Sequence, residues 1–119
     1  MIALDSTAKL QVVLAGAHTT TAPKVTVEFR NVPATGIESQ VQFRQIATTN
    51  GATDVDICDA PAVGTIKNVY RISVPNIDSA AATISIKIDI SGTDTIQQKK
   101  VVAAGDNLWY EHGAGWGVN

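Results

Sequence analysis

Ile84-Ser85-Ile86-Lys87-Ile88-Asp89-Ile90-Ser91 is the stretch that decides how this chain folds. Its four isoleucines recur with a period of two, so they share one face of a strand while Ser85, Lys87, Asp89 and Ser91 share the other. One side is core and the other is wet. Ser91-Gly92-Thr93-Asp94 then reverses the chain, residues 97–102 return, and Ala104-Gly105-Asp106-Asn107 reverses it again. Leu108-Trp109-Tyr110 runs on to a glycine-rich bend and Trp116. Residues 82–118 therefore predict three or four consecutive antiparallel strands.

The same pattern extends upstream. Residues 10–15 give a first strand, and residues 24–30 a second with Val25, Val27 and Phe29 inward. Val41, Phe43 and Gln45 alternate with Gln42 and Arg44 in a third. Asn50-Gly51 predicts a tight turn of the primed type, in which both central residues take positive φ, ahead of a strand over 54–58. Residues 65–74 form a long strand in which Ile66, Asn68, Tyr70, Ile72 and Val74 share one face and Val69, Arg71 and Ser73 the other. Asp78 is placed to cap a tight turn or a single helical turn. No apolar residues recur at helical spacing for ten or more positions.

Composition agrees, since 25 residues are Ile or Val and only 4 are Leu, and β-branched side chains suit a pleated sheet better than a helix. At 119 residues the chain has one core. The expectation is an all-β, single-domain antiparallel β-sandwich over residues 9–119, jelly-roll-like or immunoglobulin-like, preceded by a free N-terminal arm over residues 1–8.

Charge narrows the partners. A net charge of −2 with acids and bases mixed along the chain offers no footprint for a phosphate backbone or an anionic bilayer, so neither nucleic acid nor membrane is an expected partner. Residues 9–17 imitate a short signal-peptide core, but Asp5 precedes the lone Lys9 and Gln11 interrupts the apolar run. The chain is expected to be made in the cytoplasm without a signal peptide.

No constellation of residues specifies catalysis, and the expectation is that the protein is not an enzyme and uses no cofactor or metal. His18 and His112 lie far apart in sequence, and no serine stands in a nucleophile elbow. The single Cys58 excludes an internal disulfide, and beside Asp54, Asp56 and Asp59 it reads as a buried, unreactive side chain. Those three aspartates superficially suggest a calcium loop, but Val55 and Ile57 intervene, which fits a solvated strand edge better.

Trp109, Tyr110 and Trp116 crowd into eight positions. Adjacent on a strand, Trp109 and Tyr110 must face opposite sides, so one of them is an interaction candidate that could stack on a sugar ring or anchor a protein interface. Met1, Ile2 and Leu4, on the expected arm, are candidates of the same kind.

The pieces 9–17 and 76–83, and above all Gly105-Asp106-Asn107-Leu108-Trp109-Tyr110-Glu111-His112-Gly113-Ala114-Gly115-Trp116, resemble a group of small tailed-bacteriophage virion proteins. The ending, Gly-Asp-x-Leu-x-Tyr-x-x-Gly-x-Gly-Trp, is the most specific part, and the resemblance implies that it closes a sandwich as a final hairpin. Proteins of that group are structural, serving as capsid decoration or cement proteins or as modules of head fibres and tail appendages. No catalytic residue carries over from them. Because the sequence stops three residues after Trp116, the cement role is the expected one: a virion protein that contacts the major capsid protein or other virion proteins as a homo-oligomer, a dimer or trimer. The alternative is a tail, neck or fibre module that binds carbohydrate or another virion protein.

Overall fold

The computed structural model describes all residues from Met1 to Asn119. It is an all-β sandwich of two antiparallel sheets and contains no helix. The strands are β1 (Ile2–Leu4), β2 (Ala8–Leu14), β3 (Lys24–Val32), β4 (Phe43–Thr48), β5 (Val55–Cys58), β6 (Ile66–Pro75), β7 (Ala82–Ile90), β8 (Thr93–Val102), β9 (Asn107–Glu111) and β10 (Gly115–Val118). One sheet runs β10-β9-β6-β3-β4, with β1 also pairing β6, and the other runs β5-β2-β7-β8.

Between the sheets, alternate residues of the facing strands interlock, as expected of a sandwich core. Leu10 and Val12 of β2 and Ile84 and Ile86 of β7 meet Val25 and Val27 of β3 and Ile72 and Val74 of β6, all fully buried. The isoleucine row fades along β7: Ile88 is half-buried and Ile90, beside the hairpin, is exposed. The hairpin that follows is the sharpest turn in the chain. Ser91 and Gly92 both take positive φ (51° and 90°), the primed geometry that matches strand twist, and Asp89 accepts a hydrogen bond from the Gly92 N–H at 2.7 Å.

Four expectations need correction. First, residues 1–8 are not a free arm. Ile2–Leu4 pairs antiparallel with Val69, Asn68 and Lys67, and Leu4 and Ala8 belong to the core. Second, two of the predicted reversals are crossings between sheets. Residues 49–54 pass from β4 to β5 and residues 103–106 from β8 to β9, each pair lying in different sheets. Of the Asn50-Gly51 pair only Gly51 has positive φ (54°), and the tight turn lies one residue later, closed by Thr53 N–H to Asn50 C=O at 3.0 Å.

Third, β6 does not keep one phase. Glu28 of β3 pairs Arg71 while its neighbour Phe29 pairs Val69, so Tyr70 is an extra residue, a β-bulge. Val69, Ile72 and Val74 consequently face the core together, while Tyr70 and Arg71 both point away. Fourth, Asp78 caps no helix. Its carboxylate accepts the backbone N–H groups of Thr19, Thr20 and Thr21 at 2.7, 2.7 and 3.1 Å and that of Ser79 at 2.8 Å, fixing the threonine-rich connection between β2 and β3.

Candidate functional site

The register of β9 decides which aromatic faces where. Tyr110 pairs with the core residue Ile72 on one side and with Trp116 on the other, so it turns inward and is only 6% exposed. Trp116 packs against the same core, its ring 5.0 Å from that of Tyr110. Burial pushes the Tyr110 phenol up, opposed by a backbone hydrogen bond from Ile2. Of the six expected interaction residues, Tyr110 and Leu4 are therefore core, Ile2 and Trp116 half-buried supports, and Met1 an exposed terminus.

Trp109 is the outward aromatic. It pairs with Ser73 and Gly117, and its indole lies so close to Gly117 that a β-carbon there would overlap the ring. The indole Nε1–H is buried without a hydrogen-bond partner. Beside it, Arg44, Glu28, Arg71 and Glu111 stand opposite one another on successive strands, a cross-strand row of alternating charge. Arg44 reaches Glu28 at 3.6 Å. Arg71, exposed in the middle of the row, forms neither an ion pair nor a hydrogen bond through its side chain. Three shallow concavities of about 200, 220 and 300 Å³ meet at Arg71 and draw in Ser73, Trp109, Glu111 and His112.

A larger apolar groove of about 600 Å³ opens at the other end of this sheet, between the 33–42 and 59–65 segments; Pro33, Ile37, Phe43 and Pro61 line it. Of its lining, Ile37 and Phe43 are exposed by 77 and 43%, and Val41 and Val63, on the two segments that flank it, by 58 and 90%. Such clustering marks an interaction surface more often than scattered apolar residues do. The 33–42 segment is pinned by Glu38, whose carboxylate accepts Asn68 Nδ2–H at 2.7 Å and the Tyr70 hydroxyl at 2.8 Å, with Arg30 at 3.7 Å. Those bonds, Asn68 first, hold the Glu38 carboxyl below its usual range, and the same contact raises the Tyr70 phenol.

The three aspartates near Cys58 are dispersed among separate partners. Asp54 pairs with Lys87 at 2.8 Å, and Asp56 accepts Gln11 Nε2–H at 2.8 Å and lies 3.1 Å from Lys9. Asp59 uses its backbone instead, its N–H reaching Gln45 and its C=O accepting from Lys67. No three His, Cys, Asp or Glu side chains are placed to hold a metal. Cys58 is fully buried, and burial pushes its thiol up to about 11, which fits an inert core side chain.

The apolar groove and the free Arg71 both escaped the sequence reading. Ile37 sits among turn residues with no period to flag it, Val41 and Phe43 read as the inward row of a strand although both are exposed, and Arg71 belongs to the half of β6 that the bulge displaces. No family model matches the chain, and neither a curated protein nor a solved structure matches it.

Proposed function

We propose that this is a non-enzymatic structural protein of a tailed-phage virion, which decorates the capsid and stabilises it by binding the major capsid protein. The observation that carries the reading is the apolar rim around the 600 Å³ groove. It presents rigid aromatic and aliphatic side chains at the mouth of a cleft with Lys67 as its one charged lining residue, the chemistry of a protein contact. The resemblance of residues 105–116 to virion proteins supplies the setting. A shell binds a cement protein through many identical weak contacts, and a compact sandwich with one apolar rim suits that task.

The test is the copy number of the chain in purified particles, measured by quantitative mass spectrometry against the major capsid protein. Copies on the order of hundreds support decoration of a symmetric shell. A few copies move the protein to the neck, tail or fibres, and none overturns the virion setting.

A second reading, carbohydrate attachment, is favoured by one specific arrangement: Trp109 flat over Gly117 beside the unpaired Arg71. An aromatic platform with polar groups at its border suits a sugar ring. Glycan binding that disappears in Trp109→Ala, with a Phe43→Glu control unaffected, would support it.

A further inference from the structure

Five strands are paired on one side only, β1, β4 and β10 in one sheet and β5 and β8 in the other, and unpaired backbone at such edges invites association unless something blocks it. β1 is only three residues long, and three others are blocked. β8 is long, but a bulge at Gln97 interrupts its pairing with β7, and Lys100 stands opposite the core residue Ile84, a charge on the inward side of the edge. β5 is four residues long and carries its own bulge against β2. β10 is equally short, contains two glycines, and is closed by reciprocal backbone bonds between Asn107 and Asn119 at 2.7 and 3.1 Å.

β4 has none of these devices. It is six residues long, pairs with β3 in unbroken register, and contains no glycine, proline or lysine. Its single charge, Arg44, is already matched by Glu28. Beside Arg44 and Thr48 it exposes two large apolar side chains, Phe43 on the inward side and Ile46 on the outward side.

We propose that β4 is a self-pairing edge, at which a second copy of this chain adds its own β4 antiparallel about a two-fold axis at Ile46. The backbone sets the register. Thr49 N–H donates to Pro23 C=O at 3.0 Å, so alternation turns the N–H and C=O groups of Phe43, Gln45 and Ala47 towards β3 and those of Arg44, Ile46 and Thr48 to the open side. A two-fold axis through Ile46 opposes Ile46 to Ile46, and Arg44 to Thr48, in both directions. Each opposed pair then exchanges both backbone hydrogen bonds, every side chain keeps its own face, and an exposed isoleucine gains an apolar partner. An axis at Arg44 would set like charges against each other, and an odd slip would bring outward residues against inward ones. The paired protein joins two sheets into one continuous sheet, leaving the apolar groove of each copy at its own end of β4.

Cysteine crosslinking reads this register directly. Opposed residues of a hydrogen-bonded antiparallel pair lie about 5.5 Å apart at Cα, within the disulfide range of roughly 4.4–6.8 Å, and the native Cys58 is too buried to compete. On mild oxidation Ile46→Cys is expected to form a covalent dimer. Arg44→Cys and Thr48→Cys are each expected to remain single chains alone and to crosslink when mixed. Light scattering should give the unmodified protein twice the 12.5 kDa chain mass, Ile46→Lys the single mass with unchanged circular dichroism, and Ile96→Lys on β8 the doubled mass. A single mass for the unmodified protein at every concentration overturns the proposal and leaves β4 to a strand of another protein. Loss of the dimer in Ile96→Lys alone, or self-crosslinking of Arg44→Cys, overturns it in favour of a different edge or register.

Discussion

Trp109 lies across Gly117 of the neighbouring strand, its indole filling the space into which a β-carbon at 117 would project. The glycine needs no unusual backbone there; what it supplies is an absence of side chain. Gly117→Ala is expected to push the indole off the sheet and to cost about 1–3 kcal/mol by overpacking. Gly16→Ala, where nothing lies within reach of the new carbon, is its control. Chemical denaturation followed by tryptophan fluorescence measures both, and equal midpoints for the two variants would remove the special role of residue 117.

The N-terminal strand should behave as core. Leu4 is fully buried, and Leu4→Ala is expected to cost about 2–5 kcal/mol, the range for deleting a buried leucine side chain. Removal of residues 1–4 should also expose the open side of β6 at Val69 and Asn68. A truncated chain with an unchanged melting temperature would restore the free arm that the sequence suggests.

Acid sensitivity should concentrate at Asp78. Backbone N–H groups, that of Thr19 first and then Thr20, hold its carboxyl far below the ordinary value of 3.8, with burial opposing them. Because the folded state binds this proton less readily than the unfolded chain, the contribution is fully present above about pH 4 and is lost as pH falls below it. Asp78→Asn should lower the melting temperature at neutral pH and flatten the acid limb of a melting-temperature profile. Parallel profiles for the two proteins would show that other carboxylates govern acid unfolding.

Cys58 should be silent in the native protein. With burial raising its thiol to about 11, little thiolate exists at pH 8, and no reagent reaches it without opening the sandwich. The rate of labelling is expected to follow unfolding, rising steeply with denaturant. Rapid labelling in native buffer would mean that β5, an edge of its sheet, opens locally.

Much of the architecture was legible because period-two patterning is a local signal. Residues 84–90, 24–30 and 10–14 each announce their strand, and the sandwich follows from their number and spacing. What stayed hidden depends on distant partners. Ile2–Leu4 is too short to show a period, and only its pairing with residues 67–69 makes it a strand. The Asn50-Gly51 and 103–106 segments look like hairpin turns, yet the sheet to which the next strand goes is decided by the whole sandwich. The outward face was half legible: adjacency required Trp109 and Tyr110 to diverge, and the register with Ile72 determined that Tyr110 is the inner one. Arg71, Glu38 and the groove around Phe43 became visible only when the chain was folded.

The extra residue at Tyr70 gives β6 a parity as well as a sequence. Its first half is held by β1 and its second by β9, and the two halves count inward positions on opposite beats. A chain lacking Tyr70 would lose the bulge and keep the core: Val69, Arg71, Ile72, Ser73 and Val74 would then alternate in one phase, with the three apolar residues still inward. A single residue gained or lost elsewhere within β6 would instead turn one of those halves outward, so the bulge is the one place where this strand can change its length by one.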